Sequence, residues 1–186
     1  MRITGGLARG IPLTLPKGDA VRPATDAMRQ AVFSSLAARV ADARFLDLFA
    51  GSGAYGLEAF SRGAAGGTFV EKDVRTAAFI RQNIAAVAKS VGRPPDALQV
   101  VTADASHVMP GEVPDLVFID PPYDLIPAVA PKLLARLHEL LATKPEALVV
   151  FEMPGEMEIS ADGWTCVKQL GKGVRQPTVR IFRRSA

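Results

Sequence analysis

The sequence predicts an α/β fold built on an open, mostly parallel sheet. Three observations predict it: apolar strand-like runs alternate with helical periodicities, a glycine-rich turn follows the first run, and acidic residues close successive runs. Ligand crevices of such sheets lie at the carboxyl ends of the strands, so acids at those ends are candidates for function.

Residues 1–17 set Gly5-Gly6, Gly10 and Pro12 between short apolar pieces, the pattern of a hairpin or irregular arm. Thr25 or Asp26 can cap the helix that follows, and Met28, Val32, Phe33, Leu36 and Val40 form its apolar stripe. Residues 45–49 read as the first buried strand, followed by the glycine turn and a helix through Leu57, Ala59 and Phe60. Residues 67–71 form the second strand, and the helix over 74–91 is ended by Gly92 and Pro94-Pro95. Residues 98–102 and 115–119 are the third and fourth strands, 127–141 the next helix and 147–152 the fifth strand. Two last strands, 164–170 and 178–182, are joined by the short loop 171–177 and so pair antiparallel, with Trp164 in the core of that pair. Neither a repeat nor a linker interrupts residues 1–186. The expectation is one domain, with 1–43 as an N-terminal appendage and 44–186 as the core.

Composition narrows the class. Of 186 residues, 48% are hydrophobic and 22% charged, which excludes a disordered or fibrous chain. The single cysteine, Cys166, excludes a disulfide framework and is expected to be a small buried hydrophobe. The N-terminus lacks the apolar core of a signal peptide and no apolar run approaches the roughly 20 residues that span a bilayer, so a cytoplasmic protein is expected, without a membrane partner. Net charge is +3, unevenly spread: residues 1–44 carry +4, residues 163–186 carry +6, and the middle is acidic. Basic ends suit a polyanion such as RNA, since phosphate contacts supply most sequence-independent affinity.

Two motifs carry the chemistry. The first runs from Asp47 to Gly56, with Gly51, Gly53 and Gly56 in GxGxxG spacing and Glu71 twenty residues after Gly51. Glycines admit close approach of a ligand to the backbone, and an acid at the second strand's end can accept from ribose hydroxyls. These features fit NAD and S-adenosylmethionine alike. Asp47 favours the latter, because the ammonium of an amino acid moiety wants an anionic partner. Asp104, followed by Ala105, stands where a carboxylate could accept from an adenine amine; the plainer roles are backbone bonding for Asp47 and a helix cap for Asp104. The second motif, Asp120-Pro121-Pro122-Tyr123, follows the buried run of residues 116–119. A carboxylate, two stiff prolines and an aromatic ring at a strand end form a clamp suited to an exocyclic amine.

With these residues in view, the chain resembles the RsmD-type family of class I methyltransferases, which act on guanine N2 in small-subunit (16S) ribosomal RNA. The likeness rests on Arg22-Pro23-Ala24-Thr25-Asp26 with Arg29, on the stretch from Asp47 to Ala59, on Ser61-Arg62-Gly63-Ala64, and on Asp120-Pro121-Pro122-Tyr123. Ala24 departs from the family's usual threonine, and the loop at Gly171 lacks the expected Tyr-Gly. The resemblance implies a Rossmann-like, seven-stranded sheet with an antiparallel last strand. It further implies S-adenosylmethionine as donor with S-adenosylhomocysteine as product, no metal, and a monomer acting on 16S RNA within a small subunit or its assembly intermediate. The expected cofactor residues are Asp47, Phe49, Ala50, Gly51, Ser52, Gly53, Glu71, Lys72, Asp104 and Ala105, with Arg22 and Thr25. The expected RNA contacts are Arg2, Arg9, Arg22, Arg29, Lys172 and Arg175.

The expected reaction follows from group chemistry. An exocyclic amine is a poor nucleophile because its lone pair is delocalised into the ring. Asp120 and the Pro121 carbonyl, each accepting one N–H, would aim that lone pair at a sulfonium methyl, and orientation lowers the barrier by several kcal/mol. Tyr123 would stack on the flipped base, worth about 1–3 kcal/mol. Proton loss from the cationic product is easy, and no dedicated base is assigned. Ser34, Ser35 and Ser52 lack a His/Asp arrangement for nucleophilic hydrolysis, and His107 and His138 lack metal-type spacing. An NAD(P)-dependent oxidoreductase and a noncatalytic RNA-binding assembly factor are the alternatives from other classes. Adenine N6 and protein glutamine are the alternative amines.

Overall fold

The computed structural model describes residues 1–15, 25–108, 110–171 and 176–185. Arg22, Lys172 and Arg175, expected at the site or on RNA, lie outside the described residues. Seven strands, β1 (Arg44–Leu48), β2 (Gly66–Glu71), β3 (Leu98–Thr102), β4 (Leu116–Ile119), β5 (Leu148–Pro154), β6 (Trp164–Leu170) and β7 (Pro177–Arg184), form one sheet of order β3-β2-β1-β4-β5-β7-β6. Only β7 runs against the rest, pairing antiparallel with both β5 and β6. The strand order reverses between β1 and β4, and that switch point opens a crevice at the carboxyl ends of both.

Among the described residues four α-helices cover the two faces. Apolar residues of α1 (Asp26–Leu36), α2 (Ala54–Ser61) and α3 (Val74–Val91) pack with Phe45, Phe69, Phe118 and Val150 on one face. Those of α4 (Ile126–Leu140) pack with Leu46, Val117, Ile119 and Phe151 on the other. Alternation along each strand sends successive side chains to opposite faces. The register Asp47↔Phe118 and Ile119↔Phe151 therefore sets Asp47, Asp120 and Glu152 on the α1–α3 face.

The N-terminal arm behaves as its glycines suggest, turning back so that Arg2 bridges Pro12 antiparallel. Ile3 and Leu13 are buried, and polar side chains from two helices hold the arm. Glu58 accepts from the Thr4 amide and hydroxyl at 2.8 and 2.7 Å, Ser61 accepts from the Ala8 amide at 2.9 Å, and Asn83 accepts from the Thr14 amide at 2.8 Å.

Three details differ from expectation. Phe49 leaves the first strand because its backbone turns to φ +60°. Cys166 is exposed, since β6 is the sheet's edge and shows most of its residues to solvent. Trp164 is buried, but its indole N–H donates to the Leu134 carbonyl at 3.2 Å, so it packs against α4 as well as the strand pair. Among the described residues no helix is long and apolar enough to cross a membrane.

Candidate functional site

The loop after β1 is shaped by its backbone. Phe49, Gly51 and Gly53 all have positive φ, and the Gly53 amide closes the turn on the Ala50 carbonyl at 2.7 Å before α2 begins. Asp47 and Glu71 pin this loop from two sides. The Asp47 carboxylate accepts from the Gly56 amide at 2.9 Å, and Glu71 accepts from the Gly51 amide at 3.0 Å and the Asp73 amide at 2.9 Å. Both acids thus serve the loop's shape, the plainer role foreseen for Asp47. Ala50, Ser52 and Gly53 are buried, and the Ser52 carbonyl accepts from Asn83 at 3.0 Å.

Along the same edge, Asp104 follows β3, exposed, and accepts from the Ser106 amide at 2.7 Å in a turn. That bond, together with the nearby charges of His107 and Lys72, holds its carboxyl below the usual carboxylate range. Ala105 is buried beside it. Thr25 caps α1, its hydroxyl accepting from the Met28 amide at 3.1 Å.

Asp120 leaves β4 directly beside the β1 loop, its amide near the Leu48 carbonyl at 3.5 Å. Pro121 is buried, Pro122 exposed, and Tyr123 half-buried against the α4 side of the core. Asp120 keeps some exposure, yet the surrounding protein desolvates it and pushes its carboxyl well above the ordinary range. Glu152 and Asp47 add to that push, and Arg29 opposes it. No described residue donates a hydrogen bond to the Asp120 side chain, which leaves this carboxylate available to a ligand's N–H.

Sequence reasoning missed two residues here. Glu152, one step beyond Phe151, stands beside Asp120 in the continued register, buried, and accepts from the Tyr55 hydroxyl at 2.9 Å. Tyr55 is buried too, its ring stacked on Phe118 at 5.3 Å. The signal for Glu152 was present, since it ends an apolar run as the other strand-end acids do. Burial raises the proton affinity of both Glu152 and Asp47, the latter to about 8. Among the described residues no group of three or more His, Cys, Asp or Glu side chains is placed to hold a metal ion.

The arginines divide. Arg2 and Arg9 are exposed. The Leu7 amide, near Arg9, donates to the carbonyl of Ser61, the last residue of α2, so Arg9 sits a helix length, roughly 12 Å, from the crevice. Arg29, expected to contact RNA, is instead fully buried. Its guanidinium donates to Asp26 and to the Arg2 carbonyl, each at 2.6 Å, with Glu58 at 4.0 Å. The arm lies over α1 here and turns what reads as a surface charge into an internal ion pair.

A seven-stranded sheet reversing between β1 and β4, a glycine loop at that reversal and a row of strand-end acids define a Rossmann-like fold of the class I methyltransferase type. The model of the family described as Conserved hypothetical protein 95 matches residues 1–181, and the chain belongs to that family. Ribosomal RNA small subunit methyltransferase D of Escherichia coli (strain K12) is 40% identical over 125 residues, 66% of this chain and 60% of that protein. The aligned part thus spans three-fifths of that relative's length. The protein of the same name from Haemophilus influenzae is 30% identical over 179 residues, 94% of this chain and 90% of its own. The solved structure of the E. coli protein yhhF matches with a TM-score of 0.82 at 31% identity, covering 100% of this chain and 98% of that one. The expected resemblance to the RsmD-type family and the expected sheet, with its antiparallel last strand, are borne out.

Proposed function

We propose that this chain transfers a methyl group from S-adenosylmethionine to the exocyclic N2 amine of a guanine in small-subunit (16S) ribosomal RNA. The observation that carries the reading is the Asp120 carboxylate: it ends β4 at the switch point, unbonded by described residues, in a row of buried acids. Curated relatives bear the name of small-subunit ribosomal RNA methyltransferases, which supports RNA as the acceptor.

The residues present fit a cationic donor. Asp47 from the end of β1 and Glu71 from the end of β2 flank the glycine loop, acidic neighbours that suit an ammonium better than a pyrophosphate. This charge pattern disfavours a dinucleotide, which the glycine spacing alone permitted. S-adenosylmethionine, when bound, supplies an electrophilic methyl group. Gly51 and Gly53 give close access to the backbone, Glu71 accepts from ribose hydroxyls, and Asp104 with Ala105 takes the adenine. Lys72 borders Asp104, and Thr25 caps α1.

Asp120 and the Pro121 carbonyl each accept one N–H of the acceptor amine and turn its lone pair toward the methyl carbon. Tyr123 stacks on the extruded base, and Pro122 stiffens the turn between them. Arg2 and Arg9 contribute phosphate contacts on the arm. The small ribosomal subunit or an assembly intermediate is the substrate, met by a cytoplasmic monomer.

The test supplies labelled donor with unmodified small subunits, free 16S RNA and DNA, then identifies the methylated nucleoside. N2-methylguanosine from the RNA is expected. Label confined to adenine would overturn the guanine assignment, and label in no nucleic acid would overturn the function.

A further inference from the structure

Three acids reach the α1–α3 face of the sheet on neighbouring strands, and they are not equivalent. Asp47 on β1 is occupied by the Gly56 amide. Glu152 on β5 is occupied by the Tyr55 hydroxyl, whose ring is fixed by stacking on Phe118. Asp120 at the end of β4 lies between them, without a hydrogen bond from any described residue. Strands of one sheet are about 4.8 Å apart, so Asp120 and Glu152, in neighbouring positions of β4 and β5, are close enough for the charge of one to act on the other.

Two carboxylates so placed cannot both ionise easily, and local bonding decides which takes the charge. The Tyr55 hydroxyl donates to Glu152 and favours its ionised form. Asp120 receives no such bond, and the charge on Glu152 raises its affinity for a proton. The charged and titratable groups facing Asp120 are Asp47 from β1, Glu152 from β5, Tyr55 from α2 and Arg29 from α1. Arg29 moderates the pair, but it is itself engaged by Asp26 and the Arg2 carbonyl, with Glu58 nearby.

We propose that Glu152, held by the Tyr55 hydroxyl, is a positioning residue whose charge makes Asp120 the acceptor for the proton that the amine loses on methylation. The inference rests on the amine-methylation reading above and assigns a base where group chemistry alone required none. As the N–C bond forms, the C–S bond breaks and its electron pair stays on sulfur. The cationic amine then gives one N–H proton to Asp120, and the N–H electron pair returns to nitrogen. A neutral methylated amine, a neutral thioether and a protonated Asp120 result, and Asp120 later returns the proton to water. Asp120 stays ionised in the field of a positive sulfur and binds a proton readily once that charge is gone.

The test begins with the protein alone, labelled with carboxyl-13C aspartate and titrated by NMR, with Asp120→Asn identifying the resonance. In wild type Asp120 titrates well above an ordinary aspartate. In Glu152→Gln its midpoint falls by at least about one pH unit, because the neighbouring charge is gone. In Tyr55→Phe it falls in the same direction, because Glu152 then keeps its own proton to higher pH. With donor and acceptor present, Glu152→Gln lowers kcat about tenfold, leaves the donor Kd unchanged and moves the acidic limb of the kcat–pH profile to lower pH.

An Asp120 midpoint unmoved in both variants overturns the inference, whatever the turnover. If Glu152→Gln does not fold, Tyr55→Phe decides by the same two readouts. A wild type that methylates no nucleobase amine overturns the proposed function and the proton-acceptor role together. In that case a shifted midpoint remains a property of the pair alone, so the two failures are distinguishable.

Discussion

The Asp47 carboxylate accepts from the Gly56 amide at 2.9 Å, so the end of β1 holds the first turn of α2 across the glycine loop. Gly56 can come this close because it has no side chain. A Cβ there would overlap the rings of Phe69 and Phe45, although its φ is not positive, so packing and not backbone freedom demands the glycine. Gly56→Ala is expected to destabilise the fold by about 1–3 kcal/mol through overpacking. The urea midpoint measures this, and an unchanged midpoint would contradict the packing argument.

Asp47 also makes stability depend on pH. Burial, with the charge of Glu71 adding and the Gly56 bond opposing, pushes its carboxyl up to about 8. In the unfolded chain it ionises near pH 4, so between about 4 and 8 the unfolded state has released a proton that the folded state keeps. The sign is therefore a loss of stability with rising pH, up to about 1.4 kcal/mol per pH unit, complete near pH 8. Asp47→Asn, whose amide oxygen still accepts from Gly56, should flatten that slope. Urea midpoints from pH 5 to 8 decide it.

Arg29 and Arg9 make a contrasting pair. Arg29→Met should cost about 3–5 kcal/mol, because the buried Glu58 and the strand-end acids lose their cation. Arg9→Ala should leave stability within about 0.5 kcal/mol and reduce the salt slope of RNA binding by about 1. Denaturation and binding at graded salt test both, and a reduced salt slope with Arg29→Met would restore the expectation of a phosphate contact.

Asp120→Ala should lower methyl transfer by about 100-fold or more while the donor Kd changes little, since the carboxylate orients the acceptor and not the donor. Single-turnover transfer and calorimetric titration of the donor separate the two effects. Undiminished turnover would sink the clamp.

Much of the site was legible because its signals are local. A strand's apolar run ends where Asp120 begins, and the GxGxxG spacing sets Gly51 and Gly53 in positive-φ conformations that glycine takes easily. The helix over Val74–Val91 and the strand over Leu98–Thr102 fell where the sequence placed them, and Gly92 with the prolines after it stops the helix. Arg29 was misread since a charge on a helix is usually a solvated face, and nothing within α1 reveals that the arm will lie across it. Cys166 was misread for the opposite reason: small apolar residues are usually buried, but which strand becomes the edge is a property of the whole sheet.

The sequence by itself thus determined the elements, the glycine turn and the place of Asp120-Pro121-Pro122-Tyr123 at the end of a buried strand, all set by neighbours within a few residues along the chain. Only the tertiary structure decided that β5 lies beside β4, and so that Glu152, 32 positions after Asp120, stands next to it. It also decided which charges are buried. Both outcomes depend on contacts between segments far apart in the chain, where pairing register and the protein that covers a side chain, not its own identity, set its charge and its partner.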